Sequence, residues 1–179
     1  MKKLLLLMAL SIFSALVSSG CGGGDSAPSG AVTSTPKTSS SLVFMVSTPH
    51  SHYARGVAIP ITFTVTNTAS QAADLEFGAC SDFTVYVNQG TSQTWFGPIF
   101  GCGGITRSVS ILPGATQTYT LPWDQTNVVD PALPGTQVAA GTYAIFAKFN
   151  PSFMNGVNLF DSGQAATFVS NPLTITIAP

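Results

Sequence analysis

In the stretch IPITFTVTN, residues 59–67, Ile59, Ile61, Phe63 and Val65 project to one side of an extended chain while Thr62, Thr64 and Thr66 project to the other. A period of two is the pattern of a strand with one buried face, and it dominates the chain. Similar runs occupy 42–47, 83–88, 105–112, 116–121, 142–149 and 167–177, separated by the turn-forming clusters NTASQ, NQGTSQ, LPGAT, AAGT and SNP. No window carries the 3.6-residue apolar spacing of an amphipathic helix. About seven to nine short strands with spaced turns predict an all-β fold, an antiparallel immunoglobulin-like β-sandwich, with a closed barrel as the alternative.

The N-terminus follows other rules. Lys2 and Lys3 precede an apolar run over 4–17, shorter than the roughly 20 residues that span a bilayer and suited to the h-region of an export signal. The run ends in SSGC, which resembles the bacterial lipobox, with Ser18 where that pattern usually has Leu. Residues 1–20 are therefore expected to be a signal peptide and Cys21 a lipidated N-terminus. Two acyl chains anchor stably without spanning, so the membrane is an expected partner through the lipid. Gly22 stands where an Asp would signal inner-membrane retention, which favours the outer membrane of a two-membrane envelope. Residues 21–40 are built almost wholly from Gly, Ser, Thr, Ala and Pro and read as a flexible tether spanning on the order of 25 Å. Residues 41–179 are long enough for one domain with a sizeable core.

Charge excludes one class of partner. Two of the six basic residues lie in the export signal, which leaves four against seven acidic ones. No basic stripe exists to hold phosphate backbones, so nucleic acid is not an expected partner. Of the three cysteines, lipidation of Cys21 leaves Cys80 and Cys102, which are expected to pair in an oxidising compartment. Their loop would contribute on the order of 3 kcal/mol. The competing redox or metal reading lacks both a CxxC spacing and nearby His partners.

Chemistry is sparse elsewhere. His50 and His52 share one face of an extended chain but lack a third ligand. Asp82, Asp124 and Asp130 could supply paired carboxylates, yet Asp124 and Asp130 also suit turns. Neither G-x-S-x-G nor a phosphate-binding G-x-G-x-x-G is present. The chain is therefore expected not to be an enzyme and to need no cofactor or metal. Binding is better supported. In TWFGPIFGCGG, residues 94–104, Trp95, Phe96, Ile99 and Phe100 form a candidate binding loop braced by Cys102; the same side chains could instead cap the core. Phe153, Met154, Leu159 and Phe160 raise the same choice in 150–166.

Several segments together carry a family resemblance. ARGVAIPITFTVTNTASQAADLEF, SDFTVYV, TWF, ILPGATQTYTLPWDQT and VAAGTYAIFAKF fall in the order and near spacing of the BsuPI family, named for an intracellular proteinase inhibitor, over roughly residues 42–177. The most specific pieces are Trp123-Asp124-Gln125 and Gly141-Thr142-Tyr143. The resemblance implies an immunoglobulin-like sandwich and inhibition of proteases. Export, the Cys80 and Cys102 pair, the long DPALPGTQVAAG connection and the NPSFMNGVNLFDSGQA insert depart from the family pattern. Trp123 is expected to fill the core and Asp124 to cap a corner, with any functional contribution coming from 126–140. The expected function is that of a non-catalytic, membrane-anchored protein-binding domain, a proteinase inhibitor by resemblance; an envelope structural or adhesion module and a carbohydrate-binding module with exposed aromatics are the alternatives.

Peptide mapping without reductant is expected to return Cys80 and Cys102 joined. Alkylation of both as free thiols in protein taken from the envelope would rule the pairing out.

Overall fold

The computed structural model describes residues 30–78, 81–98, 106–128 and 135–179. The expected lipidation site Cys21, the Cys80 and Cys102 pair, Ile99, Phe100 and Asp130 lie outside the described residues. In chain order the strands are β1 (Val32–Thr33), β2 (Lys37–Ser39), β3 (Leu42–Thr48), β4 (His52–Tyr53), β5 (Ile59–Asn67), β6 (Ala73–Phe77), β7 (Phe83–Gln89) and β8 (Ser92–Gly97). They continue as β9 (Arg107–Ile111), β10 (Thr116–Trp123), β11 (Thr126–Asn127), β12 (Thr136–Gln137), β13 (Gly141–Phe149), β14 (Pro151–Met154), β15 (Val157–Asn158) and β16 (Leu173–Ile177). Among the described residues one 3-10 turn, Gln164–Thr167, interrupts them. The count exceeds seven to nine because nine strands have five or more residues and the rest are short pieces held by pairing alone. Two to four residues carry too little alternation to register as strands in sequence.

The fold is all β. One sheet runs β1-β3-β5-β10, with β2 also paired to β3, and a second runs β4-β16-β13-β7-β8. In immunoglobulin terms this sets A-B-E strands opposite G-F-C strands. A third sheet, β15-β14-β6-β9, and the β11-β12 ribbon complete the strands. Most pairings are antiparallel; β4 runs parallel to β16.

Alternation fills the space between the sheets. β5 buries Ile59, Ile61, Phe63 and Val65, and β3 buries Leu42, Phe44 and Val46. Phe44 and Phe63 stack at 6.3 Å, and Phe149 on β13 closes on them from the opposite sheet at 6.1 and 6.2 Å. Phe77 on β6 meets Phe149 edge-on at 5.2 Å. Such pairs add about 0.5–1.5 kcal/mol beyond the area they bury.

The tether is shorter than composition alone suggests. Within 21–40, β1 and β2 both pair with β3. Ser34 N donates to Val46 O at 2.8 Å, and Ser34 Oγ accepts from Val46 N at 3.0 Å. Asn171 Nδ2 donates to Thr35 Oγ1 at 3.1 Å and to Pro36 O at 3.2 Å. Backbone pairing to an edge needs no apolar side chains, which is why a Ser/Thr/Pro-rich segment reads as a linker and still forms strands.

A buried amide fixes the corner between the sheets. Asn67, fully withdrawn from solvent, ends β5 where the chain turns toward β6. Its Nδ2 donates to Gln71 O and Ile111 O, both at 2.8 Å, and its Oδ1 accepts from Ala69 N at 2.9 Å. Its main chain bonds to Gly114 and Ala115 across the β9–β10 turn. One side chain thus locks two turns. Asn67→Ala is expected to lower the unfolding free energy by on the order of 2 kcal/mol, because it orphans the buried Ile111 carbonyl and removes the bonds to Ala69 and Gln71; an unchanged urea midpoint would refute this.

Candidate functional site

The PWDQ corner after β10 organises one end of the sandwich. Trp123 is fully buried, its Nε1 donates to Thr126 O at 3.0 Å, and its ring meets Tyr143 edge-on at 5.6 Å. Asp124 is exposed and caps the turn, Oδ1 accepting from Thr126 N at 3.1 Å and Thr126 Oγ1 at 2.6 Å. Gln125 is the surprise. It sits at φ 61 and is fully buried. Its Nε2 donates to Ala54 O at 2.9 Å and Val57 O at 2.7 Å, while Oε1 accepts from Gly56 N at 2.9 Å. Its main-chain oxygen accepts from Val138 N and from Gln137 Nε2, each at 2.9 Å. Gln125 stands out in sequence only as part of the Trp123-Asp124-Gln125 piece; its role as a hub is not legible there, because its side-chain partners lie about 70 residues away.

Tyr143, at the start of β13, closes the same end. Its hydroxyl donates to Ala139 O at 2.6 Å, four residues back. That is the tyrosine corner of immunoglobulin-like sandwiches. Burial raises the hydroxyl above the ordinary phenol pKa, partly offset by the Arg55 charge, and so keeps it protonated as a donor.

The expected binding loop divides. Trp95 belongs to the core: it is only 8% exposed and lies 6.3 Å from Trp123. The cause is a bulge in the β7–β8 ladder, where Val87 faces Trp95 but Asn88 faces Gln93. The extra residue, Thr94, breaks the alternation, so that Thr94 and Trp95 are both buried. Phe96 turns outward and is half-buried opposite Tyr86, which in turn faces Phe146 on β13. Tyr86 and Phe146 stack at 5.1 Å and 16°. A row of three aromatics therefore crosses the outer face of this sheet. Two of its members, Tyr86 and Phe146, occupy positions that look in sequence like ordinary outward strand residues.

The insert also divides. Leu159 is buried and Phe160 exposed, while Phe153 and Met154 pair through β14 with β6. His50 and His52 are both exposed, with His50 against Tyr53 and His52 Nδ1 against Ser51 Oγ. Asp82 pairs with Arg107, whose guanidinium lies 5.7 Å over the Phe77 ring, and Asp124 is occupied by its turn. Among the described residues no three His, Cys, Asp or Glu side chains converge as a metal would require.

A cleft of about 250 Å³ opens between the β7–β8 hairpin and the β11–β12 ribbon. Gln89, Ser92, Gln93 and Thr94 line one wall, Asn127, Thr136 and Gln137 the other, and Val138 and Tyr143 form the floor. Gly141 has φ 150, and a Cβ there would come within 2.9 Å of Gln89 Nε2. Glycine at this position thus leaves room for the Gln89 amide.

No protein-family model matches the chain, and no curated protein matches it. Among solved structures it is similar to part of a β-glucosidase from Listeria innocua in complex with laminaribiose, at 12% identity and TM-score 0.42, over 77% of this chain and 16% of that one. A β-glucosidase, EmGH1, from Erythrobacter marinus gives 12% identity and TM-score 0.41, over 83% of this chain and 15% of that one. The chain spans about 16% of the length of the first of these structures, and similarity at this level carries no functional argument.

Gln125→Leu is expected to cost on the order of 2 kcal/mol, since it removes the buried amide that pairs with the Ala54 and Val57 carbonyls and the Gly56 amide. Tyr143→Phe is expected to cost about 1 kcal/mol at neutral pH. Because folding raises the Tyr143 pKa, its protonated contribution is complete below about pH 10 and is lost as pH rises through the folded-state value. Equal alkaline unfolding profiles for Tyr143→Phe and the natural chain would refute that contribution.

Proposed function

We propose that this chain is a non-catalytic, membrane-anchored domain that binds a protein partner, with proteinase inhibition the activity implied by its resemblance to the BsuPI family. The observation that supports protein contact is the outward row of Phe96, Tyr86 and Phe146 on three adjacent strands. Aromatic side chains are enriched at interface cores, and they offer large contact area for the loss of few rotatable bonds. The Tyr86–Phe146 stack adds rigidity before any partner arrives, which lowers the ordering cost of association. Strand positions also hold these rings more firmly than a loop would.

The anchor belongs to the same reading. Diacylation at Cys21 would hold the domain at the envelope surface, the outer membrane where there are two, and the residues before β1 would set its reach. A Cys21→Ser variant is expected to leave the membrane fraction.

Titration of the purified protein against a panel of serine proteases tests the partner class. Inhibition of at least one enzyme at about micromolar concentration or tighter is expected, weakened roughly tenfold by the pair Tyr86→Ser and Phe96→Ser with little change in melting temperature. No inhibition across the panel at micromolar concentration sinks the proteinase reading.

A further inference from the structure

We infer that the turn over residues 54–57 presents Arg55 to the specificity pocket of a serine proteinase that prefers cationic side chains, and that it fills this pocket without being cut; the inference rests on the proteinase reading and supplies it with a contact residue. The turn opens the segment ARGVAIPITFTVTN, while Gln125 belongs to the Trp123-Asp124-Gln125 piece. Two segments about 70 residues apart thus meet at one point of the surface. The fully buried Gln125 amide holds the backbone on both sides of Arg55. Its Nε2 donates to Ala54 O at 2.9 Å and to Val57 O at 2.7 Å, and its Oε1 accepts from Gly56 N at 2.9 Å. Within the turn Val57 N donates to Ala54 O at 3.4 Å, and Gly56 takes φ 81. That is the pattern of a type II turn, with glycine where φ must be positive and Arg55 just before it. The flanks are fixed too. Tyr53 is buried, pairs with Ile177 on β16, and its main-chain oxygen accepts from Ala178 N at 2.8 Å, while Ile59 is buried at the start of β5. Arg55 itself is exposed, and Val57 beside it is 52% exposed.

The chemistry of the tip selects the partner. A guanidinium is always charged and carries its donors in a planar fork that matches a carboxylate in two parallel bonds. Arginine is also among the residues that most often carry the energy of an interface. Trypsin-like serine proteinases hold an aspartate in the specificity pocket, which calls for one long cationic side chain. Because Gln125 already fixes the backbone around Arg55, little main-chain freedom is lost when the side chain enters, and the ordering cost of binding falls. The same clamp protects the peptide bond. Cleavage needs the scissile carbonyl aligned with the nucleophile and the oxyanion donors, within narrow limits. A tight turn with Gly56 in the left-handed region holds the Arg55–Gly56 bond away from the extended geometry of a substrate. Opening it would break three bonds to a buried amide. Arg55 therefore fills the pocket while its own peptide bond stays out of line. The turn follows β4 at one edge of its sheet, and the aromatic row lies toward the other edge on β13, β7 and β8. The two contacts can be removed one at a time.

The test titrates the full chain, purified in detergent, against trypsin, chymotrypsin and elastase, whose pockets are respectively acidic, a hydrophobic slot and small. Inhibition is expected to be strongest for trypsin, at about micromolar concentration or tighter, and to be weakened on the order of a hundredfold by Arg55→Ala and less by Arg55→Lys. Both variants are expected to keep the melting temperature of the natural chain, since the side chain is exposed. Benzamidine, a small cation that occupies the trypsin pocket, is expected to compete with the chain. Mass spectrometry after incubation with trypsin is expected to find the Arg55–Gly56 bond intact. Unweakened inhibition by Arg55→Ala, indifference to benzamidine, cutting at Arg55–Gly56 with loss of inhibition, or inhibition confined to chymotrypsin or elastase would each overturn the assignment and leave the proteinase reading standing. Silence across the whole serine-protease panel removes both. If Arg55→Ala instead loses binding to anionic vesicles while trypsin is unaffected by either form, the turn contacts lipid and the assignment falls.

Discussion

The Gln125 amide joins three parts of the chain that share no local pattern. It collects the carbonyls of Ala54 and Val57 and the amide of Gly56, and its own carbonyl receives Val138 N and Gln137 Nε2. A buried amide with every group paired specifies one arrangement, because any shift orphans several groups at once. With Gln125 fixed, Trp123 is held two residues earlier against Tyr143, and Gln137 is held at the cleft. Asn67 acts similarly at its own corner, tying the β5–β6 and β9–β10 turns. Apolar burial gives the sandwich most of its driving force, and these two amides select its connections.

The aromatic residues divide by location. Phe44, Phe63, Phe77 and Phe149 form a cluster between the sheets, and Trp95, Trp123 and Tyr143 form another at the Gln125 end. Outside, Phe96, Tyr86 and Phe146 share a face that the core does not use. Trp95 and Phe96 are neighbours in sequence and on opposite sides of the sheet, so a single strand supplies both a core anchor and a surface contact. The bulge at Thr94 decides which of the two goes inward. A strict alternation counted from Gln93 would have exposed Trp95 and buried Phe96.

Much of the scaffold was legible from the alternation in 42–47, 59–67, 83–88 and 142–149, since one strand face must meet the core and the pattern says which. Asp124 as a turn cap and Trp123 as a core residue were legible too, from a short acid beside Pro-rich turns and a single large aromatic ending a strand. The cleft was not. Its described walls come from residues 89–94, 127 and 136–139, and glutamines, serines and threonines in those stretches look like any solvated turn. Strands β1 and β2 were hidden for a related reason, as their bonds are made by backbone and by Ser34 and Asn171.

By itself the sequence determined the all-β class, the core-facing residues of the long strands and the PWDQ corner, because those follow from a period of two and from turn chemistry acting over a few residues. The tertiary structure alone decided that Gln125 is a hub, that Trp95 turns inward while Phe96 joins Tyr86 and Phe146, and that residues 89–94 and 136–139 meet at one cleft. Those outcomes depend on strand register and on a one-residue bulge. Register is set by contacts between segments tens of residues apart, and a shift of one residue reverses every side chain on a strand.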